Sequence, residues 1–456
     1  MLCPNSRNLL LVLVRMKNST KVKHSKEIGI GMLGCGVVGS GVLKAFNEKK
    51  VSINQLVQHP VKLRKIFVQD TAKPRDWPIE DSMLTTNEDL VIGASNVDVV
   101  VEVMGGVDPA YDLVKQSILN RKHVVTANKE LMAKNGIELM ELAEQQGVNL
   151  LFEASVGGGI PIVRSIVRDL RANDIHSIRA IINGTTNYIL SRMALSEIDY
   201  SDALCDAQSL GYAESDPNDD VSGIDATYKL AVLGALAFRT KIDVALIYCE
   251  GIQNLSLRDF QCAKELGYSI KLLAIATKEN SLLTLRVHPV LIAETDPLSK
   301  VDGVVNAVEV QGDLIGKVIF QGPGAGPLPT SSAVVSDILE ISRCIALEST
   351  LLGYGNLSNT LSIEPISNLT SKYYFRLWVK DKPGVLAAIA GVFGSNNVSI
   401  ASVLQKRVDT ENQSAELVIT THRARESSVW NTVSELKSMA VVQGVSSFIR
   451  VEEHSD

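Results

Sequence analysis

The densest chemistry in the chain lies between Leu210 and Leu230, LGYAESDPNDDVSGIDATYKL. Five carboxylates (Glu214, Asp216, Asp219, Asp220 and Asp225) fall within twelve residues, ahead of an otherwise apolar helical run. A calcium loop starting at Asp216 would need glycine at 221 and glutamate at 227, where Val221 and Thr227 stand. Asp225 and Lys229 are four apart, so on a helix they share a face and can pair. The pair reads either as a structural ion pair or as working chemistry, with carboxylates gripping a substrate ammonium while Lys229 handles a proton. A second lysine sits in Thr126-Ala127-Asn128-Lys129-Glu130, at the carboxyl end of a predicted strand, where open α/β sheets collect ligands. It reads either as facing a cofactor and substrate or as an exposed lysine at a helix start.

Gly34-Cys35-Gly36-Val37-Val38-Gly39 is a G-x-G-x-x-G run between a strand and a helix. Gly34 allows the tight turn, Gly36 lets a pyrophosphate approach backbone N–H groups, and Gly39 allows close helix–strand packing. At the end of the second strand, where an adenosine ribose is read, stand Gln69 and Asp70, followed by Lys73 and Arg75. Asp70 would accept from a 2′-hydroxyl and favour NAD; Lys73 or Arg75 would pair with a 2′-phosphate and favour NADP. A solvated charged loop is the other reading.

These residues need elements to position them. From Ile28 short apolar runs alternate with amphipathic stretches: strands at 28–33, 61–68, 97–103, 123–126 and 148–152, with a helix after Gly34–Gly39 through Phe46 and others at 111–120 and 130–146. That alternation predicts a parallel, Rossmann-type sheet ending near residue 155. Residues 156–347 read as an α+β domain with a mixed sheet: helices at 160–171, 186–194, 201–208, 223–238 and 332–341, strands at 175–182, 269–277, 282–287 and 306–310. The stretch 348–371 is rich in Ser, Asn, Thr and Gly and reads as a linker. Residues 372–456 follow the order βαββαβ, the ferredoxin-like motif, with Pro383 placed to start the first helix. The fold class expected is α/β: a Rossmann-type dinucleotide-binding domain, an α+β domain with a mixed sheet, and a small C-terminal ferredoxin-like (βαββαβ) unit.

Composition removes several function classes. The 456 residues carry a net charge of −6, which gives no electrostatic drive toward nucleic acid. Six scattered cysteines, without a C-x-x-C pair, argue against a zinc site or disulfide scaffold and for a reducing compartment. The apolar run Leu9–Val14 is far short of a membrane span, so residues 1–26 read as a leader and the protein as cytoplasmic.

Together GCGVVG, TANKE, EASVGGGIPI, INGTTNYIL and GYAESDPNDDVSGIDATYKLAVL resemble homoserine dehydrogenase over residues 27–345, and DKPGVLAAIAGVFGSNNVSI resembles an ACT domain. The arrangement is similar to the monofunctional, ACT-bearing form, with no aspartokinase segment ahead of it. The resemblance implies NAD(P)-dependent interconversion of L-homoserine and L-aspartate 4-semialdehyde, in threonine, methionine and isoleucine biosynthesis. By the same resemblance, residues 156–347 are the catalytic and dimerisation domain. It implies Lys229 as proton donor, and Glu214, Asp225, Asp219 and Lys129 as substrate contacts. Gly34, Gly36, Val37, Val38, Gly39, Gly105, Thr126, Lys129, Gly211 and Gly324 would meet the cofactor. Glu153, Val156, Gly158 and Ile160 would form a monovalent cation site, usually sodium, built largely from carbonyls. Many relatives carry arginine where Gln69 stands, so the resemblance leaves NADP preference open. The ACT unit implies regulation by an amino acid, threonine being the natural effector, at Asp381, Gly384, Val385, Asn396 and Asn397. A homodimer or homotetramer is expected. The rival is an amino-acid sensor that keeps a relic dehydrogenase fold.

Overall fold

The computed structural model describes residues 27–75, 78–349, 351, 353–355, 357 and 361–453; the leader expected at 1–26 lies outside them. The first sheet is parallel throughout. Its strands are β1 (Ile28–Leu33), β2 (Val61–Phe67), β3 (Leu84–Thr85), β4 (Val99–Glu102), β5 (His123–Thr126) and β6 (Leu150–Leu151), in the order β3-β2-β1-β4-β5-β6. β1 and β4 are buried along their whole length, which explains their nearly continuous apolar runs, broken only by Glu102 at the end of β4. The order reverses between β1 and β4, so a crevice opens beyond their carboxyl ends. Gly34–Gly39 follows β1, Met104–Gly106 follows β4 and Lys129 follows β5. The motifs found in sequence therefore meet at one sheet edge.

The helix after the glycine loop runs Val37–Val57, past the expected end at Phe46. The polar stretch after Phe46 faces solvent, while Phe46, Ile53 and Val57 stay buried at helical spacing. Across it lies the helix Pro327–Ala346, whose Ala333, Val334, Val335, Ile338 and Ile341 join the core of the first sheet. The chain thus returns to the nucleotide-binding layer long after residue 155.

The second sheet runs, from edge to edge, Gly316–Pro323, Val305–Gly312, Ile175–Ile181, Tyr268–Glu279, Leu282–Ala293, Val442–Glu452, Thr370–Lys380, Ser414–Thr421 and Ile400–Asp409. The strand Gly316–Pro323, not anticipated in sequence, is an exposed edge strand whose glycines and proline masked its pattern. The helix expected over 160–171 is instead a short turn, Ile162–Arg164, running into a π-helical turn, Ser165–Asp169. The helix Leu257–Glu265, also unanticipated, carries a capping box between Ser256 and Asp259. In the C-terminal unit the βαββαβ order holds, with helices Val385–Ser395 and Glu426–Ser438. Pro383 does not open the first of these; Gly384, at φ +87°, is its N-cap.

The linker expected at 348–371 lies partly outside the described residues, and the C-terminal unit joins the second sheet directly. Its strand Val442–Glu452 pairs in parallel with Leu282–Ala293, Val290 facing Arg450, so one sheet passes through both units. Buried and half-buried ion pairs cross the junction: Arg376 with Asp259, Arg258 with Glu416, Arg286 with Glu452, and Arg450 with Glu250, while Arg450 also pairs with Glu426 of its own unit. Among the described residues, no helix is long and apolar enough to cross a membrane.

Candidate active site

The helix Ile224–Phe238 is apolar almost all round and buried, as such a helix must be. Two charges sit inside it, Asp225 at 2% and Lys229 at 9% exposure. Lys229 Nζ donates to Asp225 Oδ2 at 2.7 Å and to the Ile182 carbonyl at 2.8 Å. Lys129, half-buried at the start of the helix Lys129–Gln146, donates to the other oxygen of Asp225. One carboxylate thus joins two lysines that are a hundred residues apart in sequence. Burial alone would raise the Asp225 carboxyl, but the two ammonium groups hold it well below the usual carboxylate range. Burial alone would lower the Lys129 ammonium, but Asp225, backed by Asp220 and Asp219, raises it.

Asn183 completes the cluster and was not singled out in the sequence, although it lies in INGTTNYIL. Its Nδ2 donates to Asp225 Oδ2 at 2.8 Å and Asp220 Oδ1 at 2.7 Å. Its Oδ1 caps the helix Gly184–Ser196 by accepting from Thr186 N. The legible signal was an Asn ahead of an apolar-periodic run, the mark of a cap. Asp219 and Asp220 lie on the short helix Asn218–Val221 facing this group. Glu214 is exposed, and its carboxylate makes no hydrogen bond among the described residues. Gly211, at φ +74°, is exposed beside it.

The cofactor-facing loops fit a dinucleotide. Gly34 sits at φ +93°, and a Cβ there would meet the Val103 carbonyl at 2.9 Å. A Cβ on Gly39 would press on the Gly34 carbonyl at 3.0 Å, while Gly36 opens onto empty space. The helix Val37–Val57 starts without a side-chain cap and with Val37 64% exposed, so its first N–H groups are open to an anion. Gly105, at φ +80°, also faces open space. Thr126 turns its hydroxyl inward to buried Glu102, which also accepts from Met104 N at 2.7 Å. Burial pushes the Glu102 carboxyl up against those bonds. Asn128 ties this frame to Lys129, donating to Gly106 O and capping the Lys129 helix. Asp70 is spent on Ala72 N, and Arg75 on the carbonyls of Asp70, Thr71 and Lys73. Gly324 is buried between Gly158 and Asn306.

The Glu153 carboxylate accepts from Val163 N and Arg164 N, at 2.9 and 2.8 Å, and burial pushes it up. What Glu153, Val156, Gly158 and Ile160 have left to offer a cation is main-chain oxygen, and the Ile160 carbonyl already accepts from Ile162 N. Among the described residues, no cluster of three or more His, Cys, Asp or Glu could hold a metal. In the C-terminal unit, Asp381, Gly384 and Val385 lie at one end of the eleven-residue helix Val385–Ser395, and Asn396 and Asn397 at the other. Roughly 16 Å separates the ends, so one chain does not bring them together.

A dinucleotide-binding parallel sheet whose switch point faces a buried lysine–carboxylate–lysine cluster defines an NAD(P)-dependent oxidoreductase. The chain matches the family descriptions "Homoserine dehydrogenase, NAD binding domain" over residues 34–153, "Homoserine dehydrogenase" over 161–339 and "ACT domain" over 373–440. It is 40% identical to a homoserine dehydrogenase of Neisseria gonorrhoeae, covering 94% of this chain and 100% of that relative. It is 38% identical to one of Bacillus subtilis, over 94% and 99%. A solved homoserine dehydrogenase of Thiobacillus denitrificans superposes with a TM-score of 0.86 at 38% identity, covering 94% of this chain and 99% of that one. The chain belongs to the homoserine dehydrogenase family. The relic-sensor reading is not favoured.

Proposed function

We propose that the cluster around Asp225 is the catalytic centre, with Lys229 as the group that gives and takes the proton. The observation that carries this is the spending of its three N–H bonds. One goes to Asp225 and one to Ile182 O, which leaves one donor for a substrate oxygen. The dinucleotide, when bound, supplies or receives the hydride at the substrate's carbon 4. As the semialdehyde oxygen gains electron density, Lys229 passes its third proton to it; in homoserine oxidation it takes that proton back. Asp225 holds both lysines in place and balances their charge. Lys129 stands at the mouth of the cluster, where its ammonium can steady the developing alkoxide. Asp219 and Glu214, exposed and uncommitted to other side chains, receive the substrate's own ammonium.

The open N-terminus at Val37 and Val38, with Gly34, Gly36, Gly39 and Gly105, takes the pyrophosphate; Thr126, Gly211 and Gly324 contact the cofactor through their backbone. Because Gln69 is uncharged and both Asp70 and Arg75 are engaged within their own loop, both NAD and NADP are accepted. A sodium ion, if held at Glu153, Val156, Gly158 and Ile160, is held by carbonyls. Threonine is the proposed effector, seated at the exposed turn Asp381–Gly384 beside buried Val385, with Asn396 and Asn397 reaching it from another subunit of a homodimer or homotetramer. The compartment is the cytoplasm. Initial rates of homoserine oxidation with NAD and with NADP, each with and without threonine, test this. Turnover with both cofactors and a shift with threonine are expected. Folded protein that turns over neither would sink the catalytic assignment, and a null threonine effect would sink the effector assignment alone.

A further inference from the structure

Asn306 lies where three parts of the site meet. It is paired with Gly322 across the strands Val305–Gly312 and Gly316–Pro323. On its other side the pairing with Ile175–Ile181 ends one residue away, at Ala307 opposite Ile181. Asn306 therefore stands beside Ile182, whose carbonyl holds Lys229. Its side chain lies against Gly324: a Cβ built there would fall 1.9 Å from Asn306 Nδ2 and 2.6 Å from Oδ1. A Cβ on Gly184, at the start of the substrate-side helix, would be 3.6 Å from the same Oδ1. Both neighbours are glycine, and both crowd toward this one amide.

The residue is 1% exposed, yet neither its Nδ2 nor its Oδ1 has a hydrogen-bond partner. A buried amide with both ends unpaired is costly, and such costs gather where a ligand relieves them. The pairing that satisfies both atoms at once is with a group that presents a donor and an acceptor side by side. A substrate carboxylate alone offers acceptors only and would leave Oδ1 unpaired, and the substrate ammonium, which could supply the donor, is already assigned to Asp219 and Glu214 above. A primary carboxamide offers both. Resting on the cofactor site proposed above, we propose that Asn306 is a specificity-determining residue that reads the carboxamide of the nicotinamide ring and so fixes which face of the ring meets the substrate. Pairing requires the turn Gly322–Gly326 to shift off the amide. That turn holds three glycines, with Gly326 at φ +108°.

The test measures binding rather than turnover. Titrate wild type, Asn306→Leu and Asn306→Asp with NADPH, with its 3-acetylpyridine analogue, and with 2′-phospho-ADP-ribose, which lacks the ring. Both variants keep the branched heavy-atom shape of the side chain, and the aspartate, which is closer in size, guards against a leucine variant that fails to fold. The expected result is NADPH binding weaker by roughly tenfold in each variant, with ADP-ribose binding unchanged. Wild type should disfavour the acetylpyridine analogue, and Asn306→Leu should not. Equal weakening of NADPH and ADP-ribose would make Asn306 merely structural and overturn the proposal. So would unchanged cofactor binding with a loss confined to homoserine. Either result leaves the dehydrogenase reading standing, because wild-type turnover tests that separately.

Discussion

At the residue scale the site is a charge problem solved by pairing. Two buried or half-buried ammonium groups share one carboxylate, so removing that carboxylate harms more than removing a surface charge would. Asp225→Asn should lower kcat by about 10²-fold or more and also destabilise the fold, since truncating one partner of a buried pair strands the others. Steady-state kinetics together with urea denaturation check both effects, and a fully active, stable variant would refute the pairing account. Lys229, Asp225 and Lys129 were legible because charges inside an apolar helix, or at a strand's carboxyl end, stand out against their surroundings. Asn183 was not singled out, and Asp220 was counted among the five carboxylates without a role of its own. Their part depends on a loop folding back onto another helix, and no local pattern encodes that. Glu214 was named from its motif, but it stands exposed and unbonded, so its part depends on the substrate that it meets.

At the scale of elements, caps and returns do the positioning. Asn183 caps the helix Gly184–Ser196 while also holding Asp225. Asn183→Ala should therefore cost about 1–2 kcal/mol of stability, measurable by chemical denaturation, together with a fall in kcat. A loss of stability with unchanged kcat would reduce Asn183 to a cap. The helix Pro327–Ala346 was placed by its apolar spacing, but not its return to the first sheet, which is a long-range contact. Its Asp337 is clamped by Arg164 at 3.0 Å and donated to by Glu153 N at 2.9 Å. Burial, with Glu153 nearby, still pushes its carboxyl up to about 7 from an ordinary 3.8. The folded state then holds a proton that the unfolded state has released, so this residue's contribution to stability is lost as pH rises from about 4 to 7. Asp337→Asn should flatten that part of the pH dependence, and melting temperatures at pH 5 and pH 7.5 will show it. An unchanged slope would mean that Arg164 keeps the carboxylate ionised.

At the scale of the whole molecule, the two predicted domain types and the C-terminal unit were legible from the order of their elements. The continuous sheet was not, because the pairing of Leu282–Ala293 with Val442–Glu452 joins residues 160 apart and depends on only three paired positions. Ion pairs across that seam tie the C-terminal unit to the sheet of the middle domain. Arg376→Ala leaves Asp259 buried without its principal counter-charge and should cost about 3–5 kcal/mol. Calorimetry should show it as a loss of cooperativity between the two units, whereas a small loss without change in cooperativity would mean that the seam is held by the strands alone.

The most direct measurement compares wild type with Lys229→Ala in reduction of aspartate semialdehyde, with cofactor binding measured on the same samples. Lys229→Ala should lower kcat by about 10²–10⁴-fold and leave the cofactor dissociation constant unchanged. A variant that binds cofactor normally and retains near wild-type kcat would contradict the assignment of Lys229 as the proton donor.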